Sequence, residues 1–399
     1  MTGNLAINGG KPVRTEPFPA WPVFDEREIE AVSEVVRSGK WGCLAGDKVH
    51  QFEREFAAFQ QARHGICVVN GTAALQIALR AIGVGSGDEV ITTSYTFIAT
   101  PNAALSLGAV PVFVDIDPAT YQIDATKIEE AITERTKAIL PVHIFGCPAD
   151  MDGILDVARR HNLAVAEDAC QAWGAEWKGR RVGALSDLGT FSFQLSKNIT
   201  AGEGGIIVTD DDRLEEMVWS LHNVGRRKGG LWYEHVRLGW NYRMTEWQGA
   251  ILLVQLQRLP EHMSIRDRNA GYLVGELSKI PGVRPLKVDS RVTRHAWHVF
   301  MIRYNSEAFG GLHRNDFLKA LTAEGIPCGP GYTPLTHSEA ILDGLRSIGV
   351  QEPPRPCPVS ERASNEEAVY FTQNMLLGTR QDMDSIVEAV GKIQRAVGA

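Results

Sequence analysis

Between residues 65 and 208 the chain alternates short apolar runs with amphipathic stretches. The runs lie at 65–69, 89–93, 110–114, 138–144, 163–167, 189–193 and 205–208. Between them, apolar residues fall at helical spacing over 73–82, 99–107, 125–133 and 151–161. Strands apolar along their whole length and separated by helices predict an α/β fold, with a mostly parallel sheet covered on both faces. The runs at 189–193 and 205–208 are joined too tightly for a crossover helix, so antiparallel pairing is expected there. Upstream, Ile29, Val32, Val35 and Val36 mark a helix over 25–38, and 48–60 continues in kind. Residues 1–25 read as an extended arm, because Pro12, Pro17, Pro19 and Pro22 forbid a long helix and Gly9-Gly10 adds a turn. Such an arm needs a surface to lie on, and a neighbouring subunit is one candidate. After Pro260 the pattern changes to a helix near 265–279, strand-like residues at 296–304, a helix at 314–324 and a closing helix at 381–397. The expected organisation is an arm (1–25), a large domain (26–260) and a smaller α+β domain (261–399), with the boundary in or just after a long helix over 245–259. The chain has neither an internal repeat nor a low-complexity segment.

Composition narrows the class. The 399 residues are 44% hydrophobic and 22% charged, which excludes bulk disorder. Lys plus Arg is 41 and Asp plus Glu is 48, a net charge of −7, so the basic stripe of a nucleic-acid binder is missing. Every apolar run is strand-sized, so no membrane span is expected. The first six residues lack the basic and apolar regions of a signal peptide, and a cytoplasmic location is expected. Cys43, Cys67, Cys147, Cys170, Cys328 and Cys357 are scattered without a CxxC pair, so they read as reduced thiols and not as disulfides or a metal site.

Three segments carry chemistry. In Val68-Val69-Asn70-Gly71-Thr72-Ala73-Ala74-Leu75 a strand ends, Gly-Thr turns and a helix starts. The free N–H groups of that helix start favour an anion, and Gly71 lets it approach closely. An ordinary βα unit capped by Thr72 would carry the same letters. In Ala164-Val165-Ala166-Glu167-Asp168-Ala169-Cys170-Gln171 an apolar strand bears two carboxylates at its C-terminal end, the edge where ligands of parallel sheets sit. A carboxylate buried there wants a cation, and a protonated heterocyclic nitrogen would serve. Gln171 is placed to bond the same ligand. In Thr190-Phe191-Ser192-Phe193 through Lys197 to Gly202-Glu203-Gly204-Gly205, a lone lysine follows a strand and precedes a glycine-rich turn. Alone, Lys197 reads first as a snorkelling surface residue, with a desolvated amine able to form a Schiff base as the other reading. An anion site, a buried carboxylate and a Schiff-base lysine on one sheet match pyridoxal 5′-phosphate (PLP), with its phosphate, pyridine nitrogen and aldehyde.

These segments, with Phe18-Pro19-Ala20-Trp21-Pro22 and Gly239-Trp240-Asn241-Tyr242-Arg243-Met244-Thr245, resemble the DegT/StrS-type sugar aminotransferases in order and spacing over nearly the whole chain. The resemblance implies a fold type I PLP-dependent transferase that moves an amino group from L-glutamate or L-glutamine to a keto-sugar or keto-cyclitol by a ping-pong route. It implies that Lys197 forms the Schiff base and later shuttles the proton between Cα and C4′, and that Asp168 holds the pyridinium. Gln171 would contact the ring hydroxyl, and Gly71, Thr72 and Ser192 would hold the phosphate. Phe97 would stack on the ring, although a core aromatic of a strand end reads the same. Asn241 would reach the phosphate of the other subunit in a homodimer with shared sites. Tyr95, Arg243 and Tyr332 are candidates for contact with substrate. Thr200-Ala201-Gly202-Glu203-Gly204-Gly205 is similar to the branch that contains inosose aminotransferases and aminohydroxybenzoate synthases. The stretches Phe371-Thr372-Gln373-Asn374-Met375-Leu376-Leu377 and Gly331-Tyr332-Thr333-Pro334-Leu335 lack histidines present in many members, which leaves the acceptor open. A sugar dehydratase of the same fold has a histidine in place of the lysine, and Lys197 speaks against it. A PLP-binding sensor without turnover is the remaining alternative.

Other features are set aside. Gly83-Val84-Gly85-Ser86-Gly87 follows a helix and not a strand, so it is read as a helix end and not a dinucleotide loop. His143 is read as a core strand histidine, and Arg226-Arg227-Lys228 as a solvated loop.

Overall fold

The computed structural model describes residues 4–398. After the arm come α1 (Glu26–Ser38) and α2 (Lys48–Phe59). The next strands are β1 (His64–Val68), β2 (Glu89–Thr93), β3 (Val110–Val114), β4 (Thr136–Ile139) and β5 (Ala164–Asp168). The short β6 (Glu176–Trp177) and β7 (Arg180–Arg181) precede β8 (Leu188–Ser192) and β9 (Gly205–Thr209). Helices α3 (Gly71–Ala81), α4 (Ala99–Leu105), α5 (Met151–His161) and α6 (Asp212–His222) run between or after these strands.

The main sheet has seven strands in the order β1-β9-β8-β5-β4-β2-β3. All neighbours are parallel except β9, which is antiparallel to both β1 and β8. Every residue of β2, β8 and β9 is buried, which explains why these strands show no strict alternation of apolar and exposed polar residues. The tight connection from β8 to β9 gives the antiparallel pair expected from the sequence.

Two expected elements differ. The helix over 125–133 is two short 3₁₀ turns, Ala125–Lys127 and Glu129–Ala131. Asp124 takes the Thr126 N–H and hydroxyl, and Thr133 N–H bonds Thr136 Oγ1, so local side chains compete with a longer helix. The run 138–144 pairs regularly only to Ile139, because Pro141 has no N–H to give the ladder.

The C-terminal part begins with α7 (Glu246–Leu277) and continues through β10 (Val283–Pro285), β11 (Val292–Arg294) and β12 (Val299–Tyr304). Then come α8 (Arg314–Ala323), α9 (Glu339–Ser347), α10 (Pro358–Arg362), β13 (Ala368–Thr372) and α11 (Arg380–Val397). Strands β10, β12 and β13 form one small antiparallel sheet, and β11, β6 and β7 form another in that order, with β6 in the middle. The two helices expected on either side of Pro260 are one helix. Pro260 lies on its exposed side, while Leu256, Leu259 and Met263 pack with Phe52 and Phe191, and Ala270, Leu273 and Leu277 pack with Phe300 and Phe371. Burial of flanking turns in two cores outweighs the one backbone bond that proline removes. No helix among the described residues is long and apolar enough to cross a membrane.

The arm finds its surface on its own chain. The buried Glu324 carboxylate accepts the N–H groups of Ala6 at 2.9 Å and Val13 at 3.0 Å, and Arg14 pairs with Asp382 at 2.7 Å. The arm is thus held by donors and acceptors within the protomer, without need of the neighbouring subunit considered from sequence.

Candidate active site

The candidate residues meet at one edge of the main sheet. Strands β1, β5 and β8 run in the same direction, so their C-terminal ends lie together, with Val68 and Ser192 both paired to Gly205 of the reversed β9. From this edge rise the start of α3, the end of β5 at Asp168 and the loop carrying Lys197. They enclose a cavity of about 570 Å³ lined by Gly71, Thr72, Phe97, Asp168, Gln171, Ser192, Lys197 and Tyr332, together with Thr100 and His298.

At the start of α3 the N-cap is Asn70 and not Thr72: Asn70 Oδ1 accepts the Ala73 N–H at 2.8 Å. That capping leaves the N–H groups of the first turn and the exposed Thr72 hydroxyl facing the cavity. Gly71 is required by close approach, since a Cβ there would lie 2.7 Å from Ser192 Cβ and 3.2 Å from Cys170 Sγ.

Residues alternate in direction along β5, so its two carboxylates part company. Asp168 faces the cavity. Its Oδ2 accepts the Thr100 hydroxyl at 2.8 Å and its Oδ1 accepts the Cys170 N–H at 3.1 Å. Glu167 faces the other way, where it accepts His143 Nε2–H at 2.9 Å, the N–H groups of Gly183 and Leu185, and the Ser186 hydroxyl. His143 Nδ1 accepts the Ala149 N–H at 3.1 Å, which places its proton on Nε2 and confirms a core histidine.

The Lys197 amine lies 6.0 Å from the centre of the Trp173 ring. Burial holds it below the ordinary lysine range, although Cys170 and Asp168 pull in the opposite direction. A lysine in this state has a larger fraction of free amine at neutral pH, as a nucleophile or a proton carrier needs. Gln171 is fixed at both ends: Oε1 accepts the Phe145 N–H at 2.8 Å and Nε2 donates to Tyr332 Oη at 2.7 Å. Tyr332 stacks on Phe145 with ring centres 6.1 Å apart.

Three candidates stand elsewhere in the protomer. Tyr95 is fully buried behind Tyr332, edge-on at 5.9 Å, and builds the wall without lining the cavity. Arg243 donates to Asn223 Oδ1 at 2.9 Å. Asn241 is exposed and bridges to Asn223 through its backbone. Phe97 lines the cavity but is 55% exposed, so it is an open wall and not a core aromatic. Sequence reasoning missed Thr100 and His298. Thr100 sits among small residues of α4 with no local signal, and His298 is brought in from β11–β12, a hundred residues beyond Lys197. His298 Nδ1 lies 3.3 Å from Asn198 Oδ1, and burial drives its pKa well down, so it is neutral.

The residues present fit PLP. A glycine cradle that a Cβ would fill lies at an open helix N-terminus, a bonded carboxylate faces the cavity, and a depressed lysine stands opposite.

Comparison with known proteins agrees. A candidate L-glutamine:3-amino-2,3-dideoxy-scyllo-inosose aminotransferase of Streptoalloteichus tenebrarius is 42% identical over 418 aligned positions, covering 100% of both chains. The crystal structure of 3-amino-5-hydroxybenzoic acid synthase superposes with a TM-score of 0.88 at 35% identity, over 95% of this chain and 99% of that one. A candidate sugar aminotransferase of Streptococcus pneumoniae, in its PLP form, superposes with a TM-score of 0.84 at 26% identity, over 96% of this chain and 100% of that one. The family model of the DegT/DnrJ/EryC1/StrS aminotransferases matches residues 22–391, and the chain belongs to that family.

Proposed function

We propose that this aminotransferase uses pyridoxal 5′-phosphate to move an amino group from L-glutamine or L-glutamate to an inosose-like keto-cyclitol. The observation that carries the proposal is the meeting of Lys197, Asp168 and the open start of α3 in one cavity. The full-length likeness to a relative named for glutamine and an inosose supports the substrate class.

Bound PLP would supply a sink for the electrons left when a Cα–H bond breaks. The chain supplies the rest. N–H groups of the α3 start, with the Thr72 and Ser192 hydroxyls, bind the phosphate. The Asp168 carboxylate, oriented by Thr100 and Cys170, keeps a proton on the ring nitrogen. Gln171 would contact the ring hydroxyl, and Phe97, which lines the cavity, would pack on the ring. Lys197 would carry the proton between the substrate Cα and the cofactor C4′, a task suited to an amine whose pKa is lowered by burial. The same groups act in both directions, so donor and acceptor take turns in one site.

We also propose a homodimer with shared sites. Asn241 is exposed in a segment where Leu231, Trp232, Tyr233 and Leu238 are all exposed. Apolar residues gathered in this way mark an interaction surface, and a two-fold axis would let each protomer give Asn241 to the other's phosphate.

The direct test is Lys197→Ala. The purified variant should lose the visible absorbance of bound cofactor after dialysis and should transfer no amine from L-glutamine to scyllo-inosose. Wild-type turnover in this variant would overturn the assignment.

A further inference from the structure

A second cavity of about 450 Å³ adjoins the first, and Gln194, Ser196, His298 and Tyr332 line both. Its outer walls are the aromatic faces of Trp21, Phe145 and Tyr370, and its polar floor includes Gln373. Behind Gln373 lies Arg266 of α7, with 0% exposure. Arg266 Nη2 donates to Gln373 Oε1, and Nε donates to the Gln373 carbonyl at 3.3 Å. Nη1 has no partner among the described residues. The guanidinium stands 5.6 Å from the centre of the Trp21 ring.

A buried guanidinium normally has a carboxylate to offset its desolvation. Here the adjacent Asp267 directs its oxygens to Trp297 Nε1 at 2.8 Å and Arg294 at 3.7 Å instead. Burial lowers Arg266 to about 9, which still leaves it charged at neutral pH. What Arg266 holds is an amide, and it holds it in one orientation. A guanidinium only donates, so the Gln373 oxygen must face it and the NH₂ must face away. Among the described residues that NH₂ has no partner, and the side chain borders the cavity. The result is a fixed donor, polarised by a buried cation, set among flat apolar rings. Rings can pack on the C–H face of a polyol, while an amide donor bonds an oxygen on its rim.

We infer that this second cavity receives the hydroxylated ring of the ketone substrate, and that Gln373, oriented by Arg266, donates to a ring hydroxyl and selects the acceptor. The inference rests on the keto-cyclitol reading above and deepens it. Arg266 is a positioning residue that acts through Gln373.

The test compares Gln373→Glu, Gln373→Leu and Arg266→Lys with wild type. Gln373→Glu keeps a partner for Arg266, and so keeps the fold, but presents only acceptor oxygens to the cavity. Its kcat/KM for scyllo-inosose should fall about tenfold or more relative to that for L-glutamine, the scale expected when a designed donor is lost. The inhibition constant of scyllo-inositol, which has the ring without the ketone, should rise in parallel. Gln373→Leu should behave likewise, and Arg266→Lys, which still donates to the amide oxygen, should retain most of the selectivity. The inference is overturned if the two substrates lose equally, if L-glutamine alone loses (a carboxylate site), or if scyllo-inositol binding is unchanged. Wild-type enzyme that aminates other ketones but no cyclitol would overturn the keto-cyclitol reading itself, and with it this occupant.

Discussion

Asp168 shows how one side chain is prepared for its task. Both oxygens already accept a hydrogen bond, from Thr100 and Cys170, so the carboxylate cannot turn, and capacity remains for a cation in the cavity. Asp168→Asn should keep the fold, because the amide oxygen can still accept the Cys170 N–H while its NH₂ donates to the Thr100 hydroxyl, which can turn to accept. It should lower kcat about 100-fold with a smaller change in KM, since a neutral partner stabilises the ground state almost as well but not the developing charge. Matching far-ultraviolet circular dichroism with unchanged kcat would show Asp168 to be structural. Lys197, Gln171 and Gly71 were legible as candidates because strand ends, a lone lysine and a Gly-Thr turn are local signals. Thr100 and His298 were not, because their roles come from neighbours 68 and 100 residues away in the chain, and the stretch holding Gln373 was marked as bearing on the acceptor without any sign of Arg266, 107 residues away.

Among the elements, the start of the arm is held chiefly at Glu324. Glu324 is buried with 0% exposure, and its carboxylate takes two arm N–H groups and pairs with Lys392 at 2.8 Å. Replacing it leaves both N–H groups without their acceptor and Lys392 with only the Lys11 carbonyl at 2.8 Å. Glu324→Ala should therefore cost about 3 kcal/mol, as for a broken buried pair, and should open residues 4–14 to limited proteolysis. A variant with wild-type melting temperature and an uncut arm would refute this account. Helix α7 has the opposite lesson. Its sequence carries a proline in the middle and reads as two helices, yet packing against two cores carries it through. The short 3₁₀ turns at 125–131 were mistaken for a helix because periodicity registers apolar spacing and not the side-chain bonds that end a turn early.

At the scale of the molecule, buried imidazoles tie stability to pH. Burial lowers His222 to about 4 and holds His298 well below the ordinary imidazole range. The unfolded chain then binds more protons than the folded one between about pH 6.5 and 4, so stability falls as pH drops through that window. His222 alone accounts for on the order of 3 kcal/mol at its lower end. His222→Gln should flatten the pH dependence of the melting temperature below pH 6.5, and an unchanged slope would be evidence against it. The shared-site dimer has its own test. Lys197→Ala and Asn241→Asp proteins, each inactive, should on subunit exchange recover about a quarter of wild-type activity, because half the mixed dimers' sites carry neither defect. Exchange without recovery, or an active monomer in sedimentation, would refute sharing.

The sequence by itself determined the α/β class, the succession of the main strands along the chain, the antiparallel pairing of β8 with β9, and the three chemical groups near strand ends. These follow from periodicity and from residue types at element boundaries, which are local properties. Only the tertiary structure decided which of two adjacent carboxylates enters the cavity, that Asn70 caps α3, that the arm lies on its own protomer, and that Gln373, backed by Arg266, borders a second cavity. Each of these is a contact across the fold, and no spacing along the chain encodes it.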